Sequence, residues 1–179
     1  MRDLAWIEGR LVEPPRLLQL LAARSAVLMN VAEISRASAL PHTTLKRYLV
    51  LLEHTFLLRP LPAWSSNRGK RLINSPKIHL VDSGLAAHLA GLDAITLVRD
   101  RPALGPLLES FVVGELLKQA SWPEPRIALY HFRTAAGREV DMVLEGPGVR
   151  VAGGRTPRNA TIAASKCRST HATARARCG

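Results

Sequence analysis

The sequence predicts an α-rich α+β chain: a winged helix-turn-helix, a smaller α/β part behind it, and a basic tail without a core of its own. Three observations carry this. The N-terminal elements follow one another as helix, short helix, tight break, helix and strand. A long amphipathic helix and a two-stranded hairpin come later in the chain. After Glu145 the only branched aliphatic residues are Val149, Val151 and Ile162, and no aromatic residue follows Phe132. With 179 residues, 47% of them hydrophobic, the chain has the apolar mass for one large domain or two small ones.

Pro14-Pro15 ahead of the run from Arg16 to Ala23 marks a helix with proline in its first turn. Asn30 caps a second, short helix from Val31 to about Ala37, with Glu33 in the capping-box position. Ala39-Leu40-Pro41 forms the break. The third helix starts at Thr43 or Thr44 and runs to about His54, with Leu45, Tyr48, Leu49 and Leu52 on one apolar stripe. Thr43, Lys46, Arg47 and Val50 face elsewhere. Phe56 to Pro62 is a short strand that its prolines confine to a sheet edge.

Lys77 to Asp82 has the pattern of a buried strand, and Asp82 or Ser83 then caps a small helix, Leu85 to Leu89, closed by Gly91. A catalytic role is the other reading of Asp82, and capping is the commoner one. His79 and His88 have no partner at metal-ligand spacing and are expected to satisfy local hydrogen bonds. Residues 92–103 are expected as a loop of mixed charge. Gly105-Pro106 opens the longest helix, Leu107 to about Ala120, whose apolar side is Leu107, Leu108, Phe111, Val112, Leu116 and Leu117. Ser121-Trp122-Pro123-Glu124-Pro125 stops it. Strands over 127–133 and 139–144 form a hairpin across Thr134-Ala135-Ala136-Gly137, and Val149 to Ala152 begins a third strand.

The formal charge of +11 is unevenly spread. Residues 1–145 carry 18 basic and 14 acidic side chains, whereas 146–179 carry seven basic and no acidic ones. The basicity therefore describes the tail more than the body, which weakens it as a sign of nucleic-acid binding. The tail, rich in Ser, Thr, Ala and Arg, cannot repay its ordering entropy by burial, so disorder is expected from 153 onward. Cys167 and Cys178 both lie there, which leaves the body without a disulfide or a zinc cluster. No run of eighteen apolar residues occurs, and Met1-Arg2-Asp3-Leu4 lacks a signal-peptide layout. The expectation is a cytoplasmic protein with no membrane partner.

In a DNA-binding winged helix the exposed Thr43, Lys46 and Arg47 enter the major groove, N-terminal end first. Between Lys46 and Lys77 there are seven basic residues and one acid, Glu53. The loop from Ser65 to Arg71, carrying Arg68, Lys70 and Arg71, is the wing placed to touch phosphate. Winged helices also serve as protein-contact modules, and basic loops are often only solvated, so both readings stay open.

Four segments carry a family resemblance: LLQLLAARSAVLMNVAEISRASALPHTTLKRYLVLLEHTFLLRPLPAW, NRGKRLINSPKIHLVDSGLAAHLAG, LGPLLESFVVGELLKQ and YHFRTAAGREVDMVLE. They resemble the domain of unknown function that follows the ATPase module in a large group of prokaryotic AAA+ ATPases, and KRLINSPK to DSGLA is the most diagnostic stretch. The resemblance spans most of residues 3–145. It implies an upstream P-loop ATPase, a winged helix, and a domain similar to the PD-(D/E)xK nuclease fold. No G-x-x-x-x-G-K-[ST] occurs in this sequence, so ATP hydrolysis by this chain is not expected, and the ATPase module is expected to be missing from it.

The nuclease fold requires a helix acid, a hairpin Asp and an acid-x-Lys on the next strand. Two carboxylates would hold Mg²⁺, and the lysine would position water or steady the phosphorane charge. The resemblance makes Glu109 or Glu115 the helix acid and Asp141 the hairpin Asp and metal ligand, with Glu145 four residues on. The acid-x-Lys is missing, since no acid follows Glu145 and the only later lysine is Lys166. Ordinary roles compete for these residues, such as a Glu115–Lys118 pair. The abrupt change of composition near 148–155 suggests a shifted reading frame.

The expected organisation is thus a winged-helix-like domain over 1–76, an incomplete restriction-endonuclease-like α/β domain over 77–152, and a disordered basic tail over 153–179. The expected function is that of a truncated C-terminal region of an AAA+-type ATP-binding protein that binds nucleic acid. A metal-dependent nuclease using Glu109 or Glu115, Asp141 and Glu145 is one alternative. A protein-interaction module docking to full-length AAA+ ATPases is the other. No cofactor is expected, except Mg²⁺ if the nuclease reading holds.

Overall fold

The computed structural model describes residues 13–65, 74–122, 124, 126–134, 139–147, 149–155 and 160–165. The chain opens with α1 (Glu13–Ala22), a two-residue strand β1 (Val27–Leu28), α2 (Val31–Ser38) and α3 (His42–His54). Strands β2 (Leu58–Leu61) and β3 (Lys77–Leu80) follow. All three strands are antiparallel, in the order β1-β3-β2. No local pattern announces β1, whose pairing rests on main-chain groups of β3. Residue 76, expected as a domain boundary, precedes the strand that β1 and β2 both pair with, so β3 belongs with the first sheet.

Local chemistry explains the helix ends. The Asn30 side chain accepts from the Glu33 amide at 3.2 Å and caps α2, as its position predicts. The Glu33 carboxylate turns to Arg24 at 2.9 Å. Ala39 ends α2 in the left-handed region at φ 57°, a place that usually takes glycine. The Ser38 hydroxyl donates to the Ile34 carbonyl and that of Ser35 to the Leu40 carbonyl, which ties down the turn into α3. On α3 the buried residues are Leu45, Leu49 and Leu52. At roughly 1.5–3 kcal/mol for each buried leucine, this stripe decides which face of the helix turns outward.

Residues 92–103 are largely helical, not a loop. The Asp93 carboxylate accepts from the Thr96 amide at 2.7 Å and starts α5 (Ala94–Arg99). Asp100 accepts from the Ala103 amide at 3.4 Å and starts α6 (Arg101–Ala120), well before Leu107. Two acids read as loop charges are therefore N-caps. Pro102 occupies the first turn, and Pro106, expected as the opener, lies inside the helix at the loss of one main-chain hydrogen bond. Between β3 and α5, α4 (Ser83–Leu89) is capped by Asp82, which accepts from the Leu85 amide at 2.8 Å.

A second antiparallel sheet has the order β4-β5-β6-β7, from β4 (Ala128–Arg133), β5 (Glu139–Gly146), β6 (Val149–Arg155) and β7 (Ala160–Ser165). β6 and β7 carry the fold past residue 152, which corrects the expected disorder for these segments. β5 is paired with β4 on one side, and its other side is taken up by β6, a pairing that draws on main chain rather than on the apolar side chains the tail lacks. The remaining tail residues 156–159 and 166–179, with Cys167 and Cys178, lie outside the described residues, as does the hairpin turn at 135–138.

The two sheets meet where the chain after β2 runs beside β4: Trp64 donates to the His131 carbonyl, and His131 to that of Pro62. Helix α6 spans both cores, with Leu107 in the larger cluster around Leu21, Leu45 and Ile78, and Val113 in a smaller one with Leu61 and Leu129. Among the described residues no helix is long and apolar enough to cross a membrane. Mixed α/β architecture agrees with the expected fold class at that level.

Candidate functional site

Two places bring chemistry-bearing residues together. The first is the outer face of α3, opposite its leucine stripe. His42, Thr43, Lys46 and Arg47 are all exposed there, with Val50 and Leu51 following at 54% exposure each. Thr43, Lys46 and Arg47 thus stand where the periodicity placed them. Arg68, Lys70 and Arg71, the expected wing contacts, lie outside the described residues.

The second is buried. Lys77, at the start of β3, has a side chain only 3% exposed. Its Nζ lies 2.7 Å from Glu109 Oε1 on α6, 2.7 Å from Glu139 Oε1 and 3.3 Å from Asp141 Oδ1 on β5. Three carboxylates from two elements meet the three donors of one ammonium. Burial works against the charge on Lys77, yet its hydrogen bonds to Glu109 and Glu139 outweigh it and hold the amine above its ordinary value. Burial pushes the Glu109 carboxyl up, a shift that Lys77 only partly offsets.

Beside the cluster, His79 Nδ1 lies 3.0 Å from Ser110 Oγ, which is 2.9 Å from Ser25 Oγ. Burial, with the positive charge of Lys77 and the neighbouring His131, pushes His79 down to about 4, so it is neutral at pH 7. His131 is also lowered, by burial first; its Nε2 lies 3.1 Å from the Ser75 carbonyl. His79 was expected to find a local partner and instead reaches from β3 to α6.

Of the expected acids, the structure brings Glu109 and Asp141 to one point. Glu115 pairs with Lys118 at 2.6 Å on the surface of α6, since six residues of helix rotate it well away from Glu109. Glu145 accepts from Trp64 Nε1 at 3.3 Å; four strand residues carry it roughly 13 Å beyond Asp141. The donor set fits a divalent ion poorly. Lys77 fills the point that Glu109 and Asp141 share, and among the described residues no group of three His, Cys, Asp or Glu is arranged for a metal.

Sequence reasoning missed Lys77 and Glu139 as partners in this cluster. The signal was a lysine heading a strand that is otherwise apolar, inside the most diagnostic stretch of the chain. Among surface cations it looked like one more basic residue.

Residues 1–96 match a domain of unknown function, DUF8612. The chain belongs to that family. Residues 104–172 match a second domain of unknown function, DUF4143, which is known in AAA-ATPase-associated contexts. The first match ends within α5 and the second starts within α6, both past the β3 strand that completes the first sheet. An uncharacterized protein of Mycobacterium tuberculosis and one of Mycobacterium bovis are each 35% identical over 149 residues. The aligned region covers 82% of this chain and 33% of each relative, so the chain spans about a third of their length. No solved structure matches.

Proposed function

We propose that this DUF8612 chain is the part of a longer AAA+-type ATP-binding protein that lies outside the ATPase module, and that it binds nucleic acid through a winged helix. The supporting observation is the outer face of α3. Lys46 and Arg47 are exposed beside His42 and Thr43 at the N-terminal end of α3, the position a recognition helix would present. The element order around it, helix, strand, helix, helix and two strands with the third strand in the middle, is compatible with a winged helix and supports this reading. The DUF4143 match supports the ATPase context. Phosphate contacts would set register and most of the affinity, and the first turns of α3 would meet base edges. In a gel-shift assay with duplex DNA, Lys46→Ala with Arg47→Ala weakens binding; unchanged affinity removes α3 from the interface.

A second reading, a metal-dependent nuclease, draws on the convergence of Glu109 and Asp141 beside a lysine. Lys77 comes from β3 and not from the strand that would carry acid-x-Lys, and it fills the position a cation would take. The nucleic-acid-binding reading therefore needs fewer changes to the site.

A further inference from the structure

Helix α6 is apolar on two sides. Its inner side carries the buried Leu107 and Val113, with Ser110 between them. Leu104, Leu108 and Phe111 follow one another at spacings of four and three, which keeps them on one stripe, and that stripe is turned away from the core. They are 39%, 48% and 51% exposed. On α5, which Asp100 alone joins to α6, Ile95 and Val98 are more exposed still. A surface helix normally carries polar residues on its outer side, and one that is apolar all round is normally covered. Single exposed apolar residues are ordinary, but five large ones on two adjoining helices mark a contact surface.

The ends of the stripe point to what covers it. One turn before Leu104 stands Arg101, exposed at the start of the helix. One turn after Phe111 stands Glu115, whose carboxylate accepts from Lys118 at 2.6 Å and has acceptor capacity beyond that bond. Arg101 and Glu115 lie roughly 21 Å apart along the helix, so they cannot meet within one chain. A stripe with an apolar middle, a cation at one end and a carboxylate at the other matches itself when turned end for end. Laid antiparallel on a second copy, Leu108 of each chain meets Phe111 of the other, and Leu104 covers the stem of Glu115. Arg101 then comes within one turn of the Glu115 carboxylate of the other copy. Parallel packing would instead set Arg101 against Arg101 and align the two helix dipoles. An isologous contact of this kind closes on itself, so it buries the stripe without leaving it open to a third chain.

We infer that the outer face of α6 is the interface of a two-fold symmetric dimer of this chain, with Leu104, Leu108 and Phe111 at its centre and an Arg101–Glu115 pair at each end. The dimer stands whether or not α3 binds nucleic acid.

The test is sedimentation equilibrium of the full chain, from micromolar to several hundred micromolar, at low ionic strength. The expected mass rises from 19.6 kDa to twice that value. Leu108→Gln with Phe111→Ser lowers the association constant at least about a hundredfold, because both positions are lost from both copies. Both side chains are half exposed in the single chain, so an unchanged urea midpoint at concentrations where the parent is monomeric shows that the variant is folded. Arg101→Glu weakens association about fivefold, and adding Glu115→Arg restores it, a rescue that only the antiparallel register provides. Phe56→Ser removes a more exposed aromatic from another part of the fold and leaves the dimer intact. Four results would overturn the inference. They are a mass of 19.6 kDa at every concentration, which would assign the stripe to a different partner; association of the Leu108 and Phe111 double variant like the parent; no rescue by Glu115→Arg; or disruption by Phe56→Ser as complete as that by the double variant.

Discussion

Acid should unfold this protein partly through one imidazole, and the size of the effect follows from where His79 sits. His79 is held neutral in the fold, its value lowered from 6.5 to about 4 by burial and by the positive charge of Lys77. In the unfolded chain the same imidazole titrates near 6.5. As pH falls below 6.5 the unfolded state takes up a proton that the folded state refuses, so stability present above 6.5 is lost down to about pH 4. At ~1.4 kcal/mol per pH unit that loss totals about 3 kcal/mol. His131, also lowered, adds to it in the same direction. Glu109 works against it: its folded value is raised, so the stability it withholds at neutral pH is regained as pH falls through that raised value. Comparing the parent with His79→Gln in urea titrations from pH 7 to pH 4 isolates the imidazole, because Glu109, Glu139, Asp141 and Lys77 are common to both. The parent should lose about 3 kcal/mol more than the variant. Parallel stability curves would refute the reasoning.

Other outcomes follow from the same contacts. Lys77→Met removes the shared ammonium from the mostly buried Glu109 and Asp141 and the more exposed Glu139, and should cost about 3–5 kcal/mol in urea unfolding, part of it recovered by adding Glu109→Gln. The Lys77 contribution itself is fully present below 10.5 and is lost only as pH rises through its raised folded value. Ala39→Gly should raise stability by about 1 kcal/mol, because alanine holds a left-handed φ of 57° at the end of α2. If the nuclease reading holds, Mg²⁺-dependent nicking of plasmid DNA appears and is lost in Asp141→Ala; no nicking by the parent protein removes that reading.

Much of the first half was legible because its signals are local. The Asn30 and Asp82 caps, the stripe on α3 and the prolines at the β2 edge each declare themselves within a few residues. What escaped depends on contacts far apart in sequence. Asp93 and Asp100 look like loop charges until the helices behind them are seen to use them as caps. Lys77 reads as a surface cation until β5 and α6 close over it, bringing in Glu139 and Glu109. The start of β6 was legible at Val149 to Ala152, but its end and all of β7 were missed because composition records side-chain burial, whereas an edge strand can be recruited by main-chain pairing.

The central claim is that α3 presents its N-terminal face to nucleic acid, and the salt dependence of binding tests it most directly. Fluorescence anisotropy with a labelled duplex, read across a series of salt concentrations, gives the slope of log affinity against log salt. Each phosphate contact adds about −0.9 to that slope. Binding by the parent should weaken steeply with salt, and Lys46→Ala with Arg47→Ala should flatten the slope by up to about two. A slope that the double variant leaves unchanged, or no binding at low salt, would contradict the claim and turn attention to α3 as a surface for another protein.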